Sequence, residues 1–308
     1  MLRLQNLQKR FGDLVAVDAL NLEIRSGTIF GLLGPNGAGK TTTISMVSGI
    51  LEPTAGCVEV GGILLSKDPR AVKAQLGVVP QEVAVYEELS ARENLNFWGG
   101  LYGLKGQRLK VRVDELLELV GLADRAKEPV KKFSGGMKRR LNLAMGIIHE
   151  PKLILLDEPT VGIDPQARRK VLDVVEQIVR SGSTVLYTTH YLEEAEHLCD
   201  ELAIMDNGKI LAQGTIEELK ASLGEGSVVT VSGDFGEEQL HQAVAKVGSL
   251  QTIEATDGSA MLLLPAGQPL GGALESLFAT ELNLVDVSIK EPNLEDLFLK
   301  LTGRELRD

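Results

Sequence analysis

The chain has 308 residues, 44% hydrophobic and 24% charged, with a formal net charge of -11. This length holds one large domain and a smaller one, and the acidic balance excludes a general nucleic-acid binder, since phosphate backbones are held mainly by Lys and Arg. Two cysteines, Cys57 and Cys199, are too few for a disulfide framework and suit a reducing compartment. No stretch approaches the roughly 20 apolar residues of a membrane helix, and the charged N-terminus predicts no signal peptide.

Short strands are predicted in the first third of the chain, at LRLQNL, LVAVDALNLEI, TIFGLLG and CVEVGGILL. The third strand ends in a glycine-rich turn, and the helix TTTISMVSGI follows it. This strand, loop and helix form the context that a phosphate-binding loop requires. From about Glu82 to Glu150 the pattern is mostly helical, as in VRVDELLELVGL, which Gly121 is placed to end.

Two nearly continuous apolar runs follow, LILLD (153–157) and TVLYTTH (184–190). Such runs are typical of central strands in a parallel sheet. The helix between them is predicted to begin with Asp164 as its cap and Pro165 at its first position. AIMDNGKIL predicts a hairpin that turns at Asn207-Gly208.

The remainder predicts a separate small α/β unit. Its order is strand, helix, a hairpin about Asp257-Gly258, helix and strand, with a final helix that carries Leu294, Leu297, Phe298 and Leu301. The order βαββαβ indicates a ferredoxin-like topology. We therefore place one domain at 1–222 and an accessory α/β domain at 227–308.

The segment from Gly34 to Thr41, GPNGAGKT, fits the pattern GxxxxGK[ST]. Its glycines permit a tight loop whose backbone N–H groups face one anion at a helix N-terminus. A chance glycine-rich turn is the alternative, which the flanking strand and helix disfavour. We expect ATP phosphates to bind along Gly34, Pro35, Asn36, Gly37, Ala38, Gly39, Lys40, Thr41 and Thr42, with Lys40 at the β- and γ-phosphates and Thr41 on Mg²⁺.

The strand LILLDEP supplies carboxylates for the same site. Asp157 at its end can bind Mg²⁺ through water, and Glu158 can accept a proton from an attacking water. A strand that ends in acidic residues is common and weak evidence alone. Together with the phosphate loop it indicates hydrolysis of a nucleoside triphosphate.

At these motifs the chain resembles the ABC ATPase family, over residues 1 to about 220. FSGGM, with Ser134, Gly135 and Gly136 intact, resembles the signature LSGGQ but departs from it at the first and last positions. In the family this motif caps the γ-phosphate bound by the opposite subunit, and a Ser hydroxyl with glycine N–H groups at a helix start suits an anion. A plain helix cap is the alternative. We interpret Lys138, Arg139 and Arg140 as a solvated face without a specific role.

The resemblance also implies roles for single residues. Gln81 resembles the Q-loop glutamine, which contacts Mg²⁺ and water, and 162–164 resembles the D-loop at the dimer interface. His190 resembles the switch histidine at the γ-phosphate, although a lone His is more often structural. Phe11 matches the aromatic that stacks on adenine, with a core Phe as the alternative. Hydrolysis is then assigned to Lys40, Gln81, Glu158 and His190.

The implied fold is an α/β P-loop NTPase of the ABC type, with a mixed sheet core, an antiparallel β subdomain and a helical subdomain. Two copies would close on two ATP molecules beneath a separate membrane-spanning permease, at the cytoplasmic face of the membrane, with no nucleic acid bound. FSGGMKRR and the ending IKEPNLEDLFLKLTGRE resemble the drug- and lipid-export subgroup of the daunorubicin-resistance type. The permease is expected to dock between Gln81 and Tyr102, at Tyr86, Phe97 or Trp98, for which core packing is the alternative.

Other readings stay open. One is a soluble ABC ATPase that acts on nucleic acid or the ribosome, against which stand the acidic charge and the lack of a heptad run in the roughly 95 residues between Gly39 and Ser134. A catalytically dead regulatory module is disfavoured because every expected position is filled. An importer ATPase is the third alternative. The accessory domain fits a packing or a regulatory role equally well.

Overall fold

The computed structural model describes residues 1–222, 226–265 and 267–303. The chain divides into two compact units, Met1–Leu211 and Ala212–Asp308. The division predicted from the sequence lies later, between 222 and 227, and residues 223–225 of that linker lie outside the described residues. Arg304 and Glu305, in the export-type ending, also lie outside them.

The first unit combines strands and helices, and its last strand extends past Leu211. In chain order they are β1 (Leu2–Phe11), β2 (Leu14–Ile24), β3 (Ile29–Leu33), α1 (Lys40–Val47), β4 (Ala55–Val60), β5 (Ile63–Leu64), α2 (Pro69–Lys73), β6 (Leu76–Val79), α3 (Ala91–Leu101), α4 (Gly106–Leu119), the 3₁₀ turns Ala123–Arg125 and Val130–Lys132, α5 (Gly135–Gly146), β7 (Leu153–Asp157), α6 (Pro165–Arg180), β8 (Thr184–Thr189), α7 (Leu192–Leu198), β9 (Glu201–Asp206) and β10 (Lys209–Gly214).

A six-stranded sheet of order β10-β9-β3-β8-β7-β6 forms the centre of this unit. The pairs β9–β3, β3–β8, β8–β7 and β7–β6 are parallel. Strands β3, β7 and β8 are buried along their whole length, which explains their continuous apolar sequences. Because parallel strands end at one edge, the residues after β3, β6, β7 and β8 meet there. The predicted hairpin turns at Asn207-Gly208, both with positive φ.

A second sheet and a group of helices complete the unit. The antiparallel sheet has the order β2-β1-β4-β5. Helices α3, α4 and α5 pack on one another, and α4 buries Val113, Leu116 and Leu117. It ends at Leu119, and Gly121, with φ 62, turns the chain away two residues later. The predicted mixed sheet, antiparallel subdomain and helical subdomain are thus confirmed.

The second unit contains α8 (Ile216–Ala221), β11 (Ser227–Asp234), α9 (Glu237–Val247), β12 (Gln251–Thr256), β13 (Ser259–Leu264), α10 (Leu270–Phe278), β14 (Asn283–Lys290) and α11 (Leu294–Thr302). Its antiparallel sheet has the order β12-β13-β11-β14. This order and the βαββαβ sequence confirm the ferredoxin-like topology. Its core lies under α9 and α10, among residues such as Val229, Leu240 and Leu277.

Across the described ranges, we find no helix that combines the length and the apolar character needed to cross a bilayer.

Candidate active site

The loop between β3 and α1 takes its shape from its glycines. Gly37 and Gly39 have φ of 84 and 105, which other residues rarely adopt. A Cβ at Gly34 would lie 2.2 Å from the carbonyl oxygen of Met205, and one at Gly39 would lie 2.6 Å from that of Ala16. The loop therefore requires glycine for its conformation and for close backbone approach, as expected of a phosphate-binding loop.

Lys40 lies at the start of α1 and is only 4% exposed. Its Nζ donates to the carbonyl oxygens of Gly34, at 2.6 Å, and Pro35, at 3.0 Å. The same nitrogen lies 2.9 Å from Glu158 Oε1. The ammonium group is thus held at the mouth of the loop by groups that a bound anion would replace.

Asp157 ends β7 with its carboxylate buried. Its Oδ1 accepts from Thr188 Oγ1 at 2.8 Å and from Thr41 Oγ1 at 3.2 Å. Burial raises the pKa of Asp157, while the two hydroxyl donors act to lower it. A carboxylate and a hydroxyl in contact are hard oxygen ligands, so Thr41 and Asp157 fit Mg²⁺, which takes few protein ligands beside phosphate oxygens.

Glu158 has a strained backbone, with φ of 45, and is 4% exposed. Its N–H donates to Thr188 Oγ1 at 3.0 Å, which fixes this conformation. His190 Nδ1 lies 3.3 Å from Glu158 Oε2, but within the described part of the chain it makes no hydrogen bond. Strain of this kind persists where the surroundings over-determine it, typically at functional sites.

A cavity of about 400 Å³ reaches Lys40, Thr41 and Glu158, whereas Asp157 and His190 lie behind these residues and do not line it. Its lining comprises Phe11, Leu14, Ala16, Asn36, Gly37, Gly39, Lys40, Thr41, Thr42, Gln81 and Glu158. The structure thus brings Phe11 and Gln81 to the phosphate loop, far apart though they are in sequence. Phe11 is 49% exposed, so the alternative of a core phenylalanine is wrong. The volume lies in the range of small-molecule sites.

The signature residues do not line this cavity. Ser134 caps α5, and its Oγ accepts from the N–H of Met137 at 3.3 Å. Ser134 and Gly135 are exposed, whereas Gly136 is buried. A Cβ at Gly136 would lie 2.4 Å from Ala167 Cβ, so only glycine fits there. In the described part of the chain, the N-terminus of α5 is therefore separate from the cavity at the phosphate loop.

The basic residues after the signature do not form a solvated face. Arg139 is buried, and its guanidinium donates to the carbonyl oxygen of Gln81 and, at 3.1 Å, to that of Val161. Arg140 donates to the carbonyl oxygen of Val120, and Lys138 pairs with Glu87 at 2.5 Å. The interpretation as a solvated face is therefore wrong.

The D-loop region behaves as its turn residues predict. Gly162 has φ of 77, and Asp164 Oδ1 accepts from the N–H of Ala167 at 2.9 Å, which caps α6. Pro165 occupies the first position of that helix. The predicted start of α6 is confirmed.

The chain is similar to known proteins. A family model described as ABC transporter matches residues 17–161. The linearmycin resistance ATP-binding protein LnrL of Bacillus subtilis (strain 168) is 42% identical over 100% of both chains. The daunorubicin resistance ATP-binding protein DrrA3 of Streptomyces coeruleorubidus is 42% identical over 97% of this chain and 95% of that one. The Nod factor export ATP-binding protein I of Ralstonia nicotianae (strain ATCC BAA-1114 / GMI1000) is 40% identical over 100% of this chain and 95% of that one.

Solved structures show the same fold. An ATP-binding subunit of an ABC transporter superposes with a TM-score of 0.65 at 30% identity, over 72% of this chain and 92% of that one. The cbiO1 protein of Clostridium perfringens, part of the transporter complex cbiONQ, gives a TM-score of 0.66 at 26% identity, over 71% and 90%. The chain therefore belongs to the ABC transporter family, as one of its ATP-binding, ATP-hydrolysing subunits.

Proposed function

We propose that two copies of this chain close on two Mg·ATP molecules and power an exporter whose membrane path is a separate permease. The observation that carries this proposal is the convergence of Lys40, Glu158 and Gln81 on one cavity beside Asp157, while the exposed tip of α5 lies outside it. The site of one chain then lacks the anion-binding serine and glycines that a second copy presents.

Lys40 and Glu158 have complementary roles. Lys40 binds the β- and γ-phosphates, since its ammonium already lies among the carbonyl oxygens of the loop. As it moves to the phosphates, the 2.9 Å contact with Glu158 is lost. The freed carboxylate then orients the attacking water and accepts its proton.

Thr41, Asp157 and Gln81 would hold Mg²⁺, which supplies neutralisation of phosphate charge when bound. His190 holds the γ-phosphate through its ring, whose Nδ1 makes no hydrogen bond within the described residues. Phe11 offers an exposed ring to adenine at the rim of the cavity.

The second copy completes the site. Ser134, Gly135 and Gly136 begin α5, a helix of 12 residues, and the first two are exposed. A helix N-terminus attracts an anion, and the hydroxyl of Ser134, which accepts from Met137, still has its own proton to donate. We therefore place this tip on the γ-phosphate bound by the other copy, where release of phosphate would let the dimer reopen.

Export is supported by the relatives, which are named for linearmycin resistance, daunorubicin resistance and Nod factor export. Their names favour an exporter over an importer and over a soluble ATPase on nucleic acid or the ribosome. We place this chain at the cytoplasmic face of the membrane, held there by its permease.

An aromatic surface suits the permease. Tyr86 and Phe97 are 48% and 42% exposed, with ring centroids 5.1 Å apart, edge to face. The buried Asn94 fixes the loop of Tyr86, accepting its N–H at 2.8 Å and donating to its carbonyl oxygen at 3.0 Å. Trp98 packs against the core instead, so we assign docking to Tyr86 and Phe97.

The test is ATP hydrolysis by the purified full chain with and without its co-purified permease. We expect Mg²⁺-dependent phosphate release that Glu158→Gln and Lys40→Ala each abolish, with ATP binding kept only by Glu158→Gln. Wild-type turnover by Glu158→Gln would remove this carboxylate from the role of base. Failure to co-purify any polytopic protein from native membranes would contradict the transport assignment.

A further inference from the structure

Glu194 is a fully enclosed carboxylate that the mechanism above does not use. It lies in α7 and is 2% exposed. Its Oε1 accepts from Thr160 Oγ1 at 2.6 Å, and its Oε2 accepts from Tyr187 Oη and Thr189 Oγ1, both at 2.8 Å. Each oxygen of the carboxylate thus binds a different segment of chain.

The network is charged, and its donors are fixed. Arg168 Nε lies 3.4 Å from Glu194 Oε1, and burial raises the pKa of Tyr187 well above its usual value, so the phenol stays protonated and donates. Burying a carboxylate is costly, and a buried ion is weak evidence for stability, since apolar residues of similar volume often serve as well. The positions of the residues that bind Glu194 explain this buried carboxylate better than a contribution to stability does.

Those partners flank the two residues nearest the chemistry. Thr160 lies two positions after Glu158, and Thr189 immediately precedes His190. Thr189 Oγ1 also accepts from the N–H of Tyr191 at 2.9 Å, and the carbonyl oxygen of Thr189 accepts from the N–H of Gly34 at 3.2 Å. One carboxylate therefore connects the end of β7 with the end of β8 and, through Thr189, with the phosphate loop.

The network also contacts His190 through the side chains of Arg168 and Tyr191. The guanidinium of Arg168 lies 4.1 Å from the ring centroid of Tyr191, and the rings of Tyr191 and His190 are 4.2 Å apart. The charge of Glu194 holds Arg168, and Arg168 in turn limits the position of Tyr191. Loss of that charge would loosen both sides of His190.

We propose that Glu194 is a positioning residue for ATP hydrolysis, whose carboxylate holds the Glu158 segment and the His190 segment in register. This inference rests on the proposed function of those two residues. Small displacements of reacting groups are enough to slow a reaction about 100-fold.

The test compares kcat, ATP affinity and stability of the full chain. Glu194→Gln keeps the shape and removes the charge, and we expect kcat to fall about 10- to 100-fold, while the Kd for ATP changes by less than about 2-fold. Asp296→Asn is the matched control, because Asp296 is a buried carboxylate of the second unit that pairs with Lys290 at 2.9 Å. It should lower the Tm and leave kcat unchanged.

A double-mutant cycle separates a positioning role of Glu194 from a general contribution to stability. Thr160→Val and Thr189→Val each remove one hydroxyl and conserve volume, so they remain informative if Glu194→Gln does not fold. If the hydroxyls act through the carboxylate, each should lower kcat in the wild-type chain and have little further effect in Glu194→Gln.

An unchanged kcat in Glu194→Gln and in both threonine variants would overturn the inference, as would a loss of kcat that Asp296→Asn reproduces at equal loss of Tm. Turnover by Glu158→Gln at the wild-type rate would instead refute the proposed function. The two failures are therefore distinguishable.

Discussion

Lys40 Nζ and Glu158 Oε1 form a buried ion pair at 2.9 Å, with both side chains about 95% enclosed. The residue proposed to bind phosphate thus neutralises the residue proposed to accept the proton. The three N–H groups of Lys40 are already used by Gly34, Pro35 and Glu158, so in the proposed mechanism a bound phosphate displaces Glu158. If Glu158 is the base, as proposed, it becomes available only when phosphate occupies the loop, and proton transfer is limited to the loaded site.

The first prediction concerns this pair in the nucleotide-free chain. Lys40→Met leaves Glu158 buried without its partner and should lower the free energy of unfolding by about 3 kcal/mol. Glu158→Gln added to Lys40→Met should recover much of that loss. Chemical denaturation of the single and double variants measures both effects. Strictly additive losses would show that the two side chains do not interact.

The second prediction concerns Arg139, which joins the carbonyl oxygens of Gln81 and Val161. Arg139→Met removes both donors and should cost about 2 to 4 kcal/mol of stability, since each is a hydrogen bond to a charged group. Arg139→Lys should recover only part, because one ammonium does not reproduce the guanidinium fork.

Arg169→Met is the control for Arg139. Arg169 is on the surface and pairs with Asp173 at 3.4 Å, so its loss should change stability by less than about 0.5 kcal/mol. Thermal unfolding compares the variants. An Arg139→Met chain as stable as Arg169→Met would contradict the role of the bridge.

The third prediction concerns adenine recognition by Phe11. Phe11→Ala should weaken ATP binding by about 1 to 3 kcal/mol, the range of base–aromatic stacking, whereas Phe11→Tyr should bind as the wild type does. Half of the side chain is exposed, so stability should hardly change. Calorimetric titration with ATP gives the Kd. Equal affinity in Phe11→Ala would place the base elsewhere.

The fourth prediction concerns the permease. Tyr86→Ala should leave ATP hydrolysis by the isolated chain unchanged and should weaken binding to the permease by about 2 kcal/mol, a typical loss for a buried aromatic anchor. Phe278→Ala, which removes an aromatic side chain 57% exposed in the second unit, is the control. Transport and co-purification are measured together. Normal transport by Tyr86→Ala would rule out this surface.

Much of the site could be predicted because its residues lie at strand ends with strong local patterns. The motif GPNGAGKT follows β3, and the motif DEP lies at the end of β7. The two motifs come together if both strands are buried, parallel and end at the same edge of the sheet, which their apolar sequences indicate. The hairpins at Asn207-Gly208 and Asp257-Gly258 follow from turn chemistry in the same way.

Arg139 and Glu194 could not be predicted, because their roles depend on partners distant in sequence. Glu194 is one of the acids at Glu193, Glu194 and Glu196, and only the packing of α7 shows that Glu194 turns inward to Thr160, 34 positions away. The bridge of Arg139 to Gln81 spans 58 positions. Local pattern gives no signal at such separations.

The mass in solution of Glu158→Gln with saturating Mg·ATP tests the shared site most directly. We expect twice the 33.2 kDa of one chain, and a return to one chain when Ser134→Arg is added, with ATP still bound. A strictly monomeric Glu158→Gln chain that binds ATP, even beside its permease, would contradict the account.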